Sequence, residues 1–250
     1  MKLPVVRGLI DRRILANYRI DPIVLRAVLP EPFRPKIVNG FGIGGICLIR
    51  LKSIRPRYFP FRWGFGSENA AHRIAVEWDV GGELREGVYV PRRDTSSMLN
   101  TIVGGRIFPG VHHHATFTVA ESMDSFTVDL TSDDRETNVS LRGTVTEEFP
   151  ETSVFTSLHV ASEFFKRGSL GYSLSHVDGR YDGLELRCSV WKMEVLEIEK
   201  IASSYFDDRS RFPSESIQFD CVLLMRSIEH EWHSREDLCC STSSKHYNET

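Results

Sequence analysis

The chain has 250 residues, 41% hydrophobic and 26% charged, with a formal net charge of -3. That length can bury a large core in one domain, and the acidic balance leaves no basic field for nucleic acid or an anionic membrane surface. No apolar stretch approaches the roughly 20 residues of a membrane span. Five cysteines scattered without C-x-x-C spacing argue against a disulfide scaffold and a zinc ribbon, and they favour a reducing cytoplasm. Arg7, Asp11 and Arg12 arrive before a secretory apolar segment can form. Only seven of the 31 cations are lysine, so amine chemistry has few candidates.

Many short strands and few helices are expected. Residues 12–20 suit a strand. Asp21 then caps a helical turn with Pro22 at its first position, and Pro30-Glu31-Pro32 stops it. Residues 43–50 read as a strand whose glycines at 40, 42, 44 and 45 suggest a bend or a close backbone approach. An aromatic loop over 54–66 leads to strands at 71–79 and 84–90, joined by a Gly81-Gly82 turn. Residues 95–104 suit a short helix.

Strands follow near 112–120, 125–131 and 138–147. Ser157 should cap a second helix over 157–167, ended by Gly168. Strands resume at 184–191, 193–204 and 217–228, although the apolar spacing of 193–204 also fits a helix. The polar residues 234–250 read as a frayed, disordered tail, leaving one β-rich domain over 1–233.

Tyr18-Arg19-x-Asp21 followed by Leu25-Arg26-x-Val28-x-Pro30-Glu31-Pro32 resembles the N-terminal strand and helix of acetoacetate decarboxylases. Gly105-Arg106 resembles the start of that family's G-R-E-L-x-x-Y-P-K-K segment, and Glu199-Lys200-Ile201-Ala202-Ser203-Ser204 its K-E-I-V-S-S strand. The matches are collinear over about residues 12–228. Gly87-Val88-Tyr89-Val90 and His112-His113-His114-Ala115 resemble a bacterial branch of the superfamily known only as a domain of unknown function. The resemblance implies a mainly β (α+β) fold: a single closed antiparallel β-barrel with a few flanking helices and a ligand cavity. It also implies a symmetric homo-oligomer, to which the aromatic loop 58–63 could contribute.

The family's chemistry needs a lysine amine to form a Schiff base. Counting on from Gly105-Arg106, the family's lysine pair falls on His113-His114, and imidazole cannot form that imine. The expectation is therefore acid–base chemistry on a small keto acid or related carboxylate, without a cofactor. Decarboxylation, hydration and isomerisation all stay open, and the alternative is a non-catalytic barrel that binds a small molecule. Gly66-Ser67-Glu68-Asn69 resembles the family's Y-T-E-S segment, which makes Glu68 the partner of His113 as acid and base. The family's second pocket glutamate would fall near Ile43 and is missing. Its pocket arginine would fall on Asp11; Arg13 shares that strand parity and Arg12 is adjacent, so these two and Arg106 are the carboxylate-binding candidates.

The histidine run has other readings. On a strand His112 and His114 share one face and His113 the other. If the first two point inward, they could hold a divalent metal with Glu68 or His72; all three could equally be structural. Ser96 and Ser97 lack a nucleophile elbow, which argues against a serine hydrolase.

Overall fold

The computed structural model describes residues 4–58, 64–103 and 109–239. In chain order the strands and helices are β1 (Val6–Ile20), α1 (Pro22–Val28), β2 (Arg34–Pro35), β3 (Ile37–Val38), β4 (Phe41–Pro56), β5 (Phe65–Val80), β6 (Glu83–Thr95), α2 (Met98–Val103), β7 (His113–Glu121) and β8 (Ser125–Ser132). There follow β9 (Asn138–Thr146), α3 (Leu158–Arg167), β10 (Leu170–Leu174), β11 (Arg180–Cys188), β12 (Glu194–Ser203), β13 (Ile217–Ser234) and β14 (Leu238–Cys239). No helix among the described residues is long and apolar enough to cross a membrane.

Both longer helices begin and end where their local chemistry dictates. Asp21 accepts from Ile23 N at the start of α1, with Pro22 at the first turn. Ser157 accepts from Val160 N at the start of α3, and Gly168 caps its end by donating to Phe164 O. Residues 193–204, which fit either period, form β12, because Val195 and Leu196 bury their side chains while pairing with β13 and β9. The strand β10 is an addition to the expected elements. It is five residues long and depends on parallel pairing with β6 and antiparallel pairing with β11.

The strands close on themselves. Neighbour to neighbour, β6-β7-β8-β9-β12-β13-β1-β4-β5 returns to β6, a ring of nine. Every pairing in it is antiparallel except β6 with β7, where Asp94 and Thr95 run parallel to His113 and His114. A second circuit shares five of these strands: β13, β1, β4, β5 and β6 also close through β10 and β11. The shared strands are correspondingly long, 13 to 18 residues. They form a wall with two buried faces.

Alternation along the wall sends successive residues to opposite sides. Ile14, Ala16, Ile46, Leu48, Val222 and Leu224 pack with Ala115, Phe126, Val128, Leu130 and Leu141 from β7, β8 and β9, filling the nine-strand ring. Leu15, Cys47, Ile49, Leu223 and Met225 face the other side with Leu186, Phe155, Phe164 and Phe165. The glycines of β4 mark close approaches: a Cβ at Gly45 would lie 2.3 Å from the Ala16 carbonyl oxygen, and one at Gly44 would lie 2.7 Å from Ile20 Cδ1. The chain expected to fray from 234 stays attached through 239, because Arg235 N donates to Gly183 O and β14 pairs with β11. The rest of that tail lies outside the described residues.

Candidate functional site

The second circuit is hollow. A cavity of about 330 Å³ is lined by residues from all seven of its strands and from α3. Its wall includes Cys47, Ile49, Ala71, Val88, Val90, Phe165 and Leu184. Four arginines line it, Arg13, Arg55, Arg73 and Arg93, and among the described lining residues the only carboxylate belongs to Asp94. Asp94 is already engaged, accepting from Arg92 Nε at 2.9 Å and Nη2 at 2.8 Å. No lysine is among the described lining residues.

The arginines are held by neutral groups. Arg13 Nε donates to Cys47 Sγ at 3.4 Å and Nη1 to Met225 Sδ at 3.6 Å, with the guanidinium 5.6 Å from the Trp191 ring centre. Arg73 is 4% exposed, lies 4.7 Å from the centre of the Phe165 ring and donates to Asn17 Oδ1, while its Nε has no partner. Asn17 is aimed by its own amide, which donates to Leu15 O and Cys221 O. Arg93 Nε donates to Ser173 Oγ at 2.9 Å. Burial lowers Arg73 and Arg93 to about 10, so both stay charged at neutral pH.

His112 is the cavity's imidazole. It precedes β7, and its Nδ1 lies 2.8 Å from Gly110 O, which assigns the proton of the neutral ring to Nδ1. Gly110 has φ +83°, and a Cβ there would meet Ser173 Cβ at 2.8 Å and Arg93 Nε at 3.0 Å. Burial first, then the Arg93 charge, lowers His112 to about 4.

Several expected site residues fall elsewhere. His113 does not line the cavity: its Nδ1 faces Asp134 Oδ2 at 3.1 Å and its side chain is 39% exposed. His114 Nδ1 pairs with Asp133 Oδ2 at 2.8 Å, so these two histidines tie β7 to the turn between β8 and β9. Strand alternation starts only at His113, which is why His112 and His114 part company. Among the described residues no cluster of three metal-ligating side chains exists, and His72 is buried against Ser203 Oγ, its Nε2 at 3.1 Å. Arg106 lies outside the described residues.

Glu68 is displaced by parity. Ser67, Asn69, Ala71 and Arg73 of β5 line the cavity, so Glu68 faces the other ring. There it accepts from Arg12 Nη2 at 2.6 Å and from Arg50 Nε. Arg12, 2% exposed, also donates to Glu121, which accepts from Arg50 Nη1 at 2.7 Å. Glu68 and Arg12 are thus a buried ionic latch between β1, β4, β5 and β7, and of the sequence candidates Arg13 lines the cavity with His112. Sequence reasoning missed Arg73 and Arg93. Arg73 carried a signal, since it interrupts the apolar run Ala70-Ala71-His72-Arg73-Ile74-Ala75-Val76.

Two outcomes follow from these placements. Glu68→Gln leaves Arg12 with one carboxylate and should cost about 3 kcal/mol of unfolding free energy in urea, without changing ligand binding at the cavity. A loss of binding at unchanged stability would refute the latch.

The buried histidines set the acid response. Burial lowers His72 to about 3, helped by Arg92 and Arg211, and His230 to about 4, helped by Arg13. With His112, three groups refuse in the folded state a proton that the unfolded chain accepts below about pH 6.5. Their stabilising contribution is complete above that pH and is lost as pH falls toward 4, each by up to about 1.4 kcal/mol per pH unit. Asp94, raised by burial, opposes this with one proton at most. Net proton uptake on unfolding at pH 5 should exceed one and fall by about one in His112→Gln; calorimetry in buffers of different ionisation enthalpy measures it.

A family model, DUF2071, described as an uncharacterized conserved protein, matches residues 10–182. No curated protein matches the chain in sequence. Among solved structures it is similar to acetoacetate decarboxylase from Legionella pneumophila, with TM-score 0.59, 13% identity, and coverage of 94% of this chain and 88% of that one. It is similar also to an acetoacetate decarboxylase-like enzyme from Sphingomonas wittichii RW1, with TM-score 0.57, 13% identity and 94% and 92% coverage. The enduracididine biosynthesis enzyme MppR complexed with pyruvate matches with TM-score 0.55, 12% identity and 96% and 91% coverage. At these identities the likeness is one of fold, and the chain has the acetoacetate decarboxylase-like fold.

Proposed function

Because the chain belongs to the DUF2071 family, whose description assigns no reaction, we propose its function from the cavity itself: an enzyme that binds a small keto acid or related carboxylate and works without a Schiff base. The observation that carries this is the pair Arg13 and Arg73. Both guanidiniums line an apolar cavity, and no carboxylate pairs with either among the described residues. Buried charge without a counter-ion is costly, and a guanidinium fork matches a carboxylate through two parallel hydrogen bonds. MppR was solved with pyruvate, and the decarboxylases act on a keto acid by name, which agrees with that ligand class.

In this reading Arg13 and Arg73 hold the substrate carboxylate, with Cys47 and Ala71 as small neighbours that leave room for its carbon chain. His112 replaces His113 as the proton-transfer group. It is neutral at pH 7, with Nδ1–H donated to Gly110 O and Nε2 carrying the lone pair. None of the described lysines has a part: Lys52, Lys166, Lys192 and Lys200 are exposed, and Lys36 pairs with Glu86. Borohydride added with acetoacetate should leave the intact mass unchanged, and Arg13→Ala should weaken binding of acetoacetate or pyruvate at least about tenfold. A stoichiometric adduct on any lysine, or unaltered binding in Arg13→Ala, would sink the reading. Consumption of a keto acid separates an enzyme from a binding barrel.

The assembly is part of the proposal. Phe65 and Leu99 line the cavity and are 74% and 51% exposed, and Met98 and Ile102 beside them are 59% and 60% exposed. A monomer would leave this apolar rim wet, so the expected state is a homo-oligomer. Light scattering at micromolar concentration checks it, and a monomer mass throughout that range would count against it.

A further inference from the structure

The cavity holds more positive charge than one carboxylate can answer. Across the wall the register aligns Leu15 of β1, Cys47 of β4, Ala71 of β5 and Arg93 of β6. Arg13 and Arg73 stand two residues to either side of this row, on β1 and β5, with the same inward parity. Cys47 and Ala71 are therefore a small-residue floor with an arginine on three sides. The geometry agrees, because Arg13 donates to Cys47 Sγ at 3.4 Å.

None of the three guanidiniums forms an ion pair with a described carboxylate, and the one lining carboxylate, Asp94, is held by Arg92. Arg55 adds a fourth lining cation, whose Nη1 donates to Ser53 O at 2.9 Å. Three fixed charges around an apolar floor are stable together only if something anionic compensates them when the site works. Asp182, whose Oδ2 accepts from Gly110 N at 3.1 Å, acts on Arg93 without an ion pair to it, so one carboxylate between Arg13 and Arg73 still leaves Arg93 without a paired anion among the described residues.

We infer that the ligand of this cavity is a dicarboxylate, with one carboxylate between Arg13 and Arg73 and the second on Arg93 beside His112. This rests on the carboxylate-binding reading above and narrows its substrate class. The floor of Cys47 and Ala71 lies under the carbon chain joining the two groups. The second carboxylate also sits where the Arg93 charge acts on His112. Neutralising that charge removes one of the causes that keep the imidazole unprotonated, so the ligand itself makes His112 more basic.

The test is titration calorimetry of the full chain at fixed ionic strength, with matched probes. Pyruvate and butyrate represent monocarboxylates, succinate and 2-oxoglutarate dicarboxylates, and inorganic phosphate a compact dianion. The expected result is dicarboxylate affinity at least about tenfold above that of the monocarboxylates, with the ratio collapsing to about one in Arg93→Gln. A ratio near one in the wild-type protein overturns the dicarboxylate inference and leaves the carboxylate reading standing. Phosphate binding more tightly than any dicarboxylate also overturns it, in favour of a single compact dianion. Binding of no probe overturns both. The ligand-free melting temperature of Arg93→Gln guards against a trivial collapse: it should equal or exceed that of the wild-type protein, since an uncompensated charge has been removed. A large fall would make Arg93 a structural residue and refute the inference.

Discussion

Everything in this molecule depends on a wall of five strands that serves two circuits at once. A strand buried on one face needs apolar residues only at alternate positions, whereas here both faces of β1, β4 and β13 are covered. Their burial is accordingly near-continuous, from Ile14 to Tyr18, Gly42 to Ile49 and Asp220 to Met225. One face meets β7, β8, β9 and β12 and is packed solid. The other meets β10, β11 and α3 and is hollow. A single step along a strand therefore moves a side chain from a packed apolar cluster into the cavity.

That one-residue resolution explains which parts of the structure were legible in the sequence. The caps of α1 and α3 are local, so Asp21, Pro22, Ser157 and Gly168 marked them plainly. Gly44 and Gly45 were legible because a glycine inside an apolar strand signals a close approach, although their partners Ala16 and Ile20 lie on β1. The strand β10 was not, because Leu170–Leu174 is fixed between β11 and β6, and its β6 partner Val88 lies 83 positions before Gly171. The site was the hardest case. Resemblance pointed to Arg12-Arg13, Glu68-Asn69 and the histidine run, each of which places one member on the cavity wall, and which member it is depends on which neighbour faces inward. Arg13 line the cavity and Arg12 the latch; Asn69 faces the cavity and Glu68 the latch. Strand parity had already favoured Arg13, which lines the cavity, whereas Glu68 and His113, taken from the resemblance alone, do not line it.

The two rings also handle charge in opposite ways. In the filled ring Arg12 and Arg50 meet Glu68 and Glu121, a network in which every charge has an answer within the protein. The network joins β1, β4, β5 and β7 through side chains from all four strands. In the hollow circuit Arg13, Arg73 and Arg93 rest on sulfur, aromatic rings, an amide and a hydroxyl. Neutral partners orient a guanidinium without cancelling it. The positive potential is thereby kept for whatever enters.

A field of this kind bears on Schiff-base chemistry as well as on the imidazole. Schiff-base catalysis needs a lysine held neutral near pH 7, and neighbouring cations lower an amine's pKa. Three arginines would supply that effect, yet no described lysine lines the cavity to receive it. The same field acts instead on His112, whose imidazole it helps keep neutral. A neutral imidazole beside fixed cations changes its basicity when an anion arrives and changes it back when the anion leaves. Substrate charge, in the function proposed here, therefore does for the imidazole what burial and a second cation would do for a lysine: it brings the working group's proton affinity toward the value the reaction needs, and only while the cavity is filled.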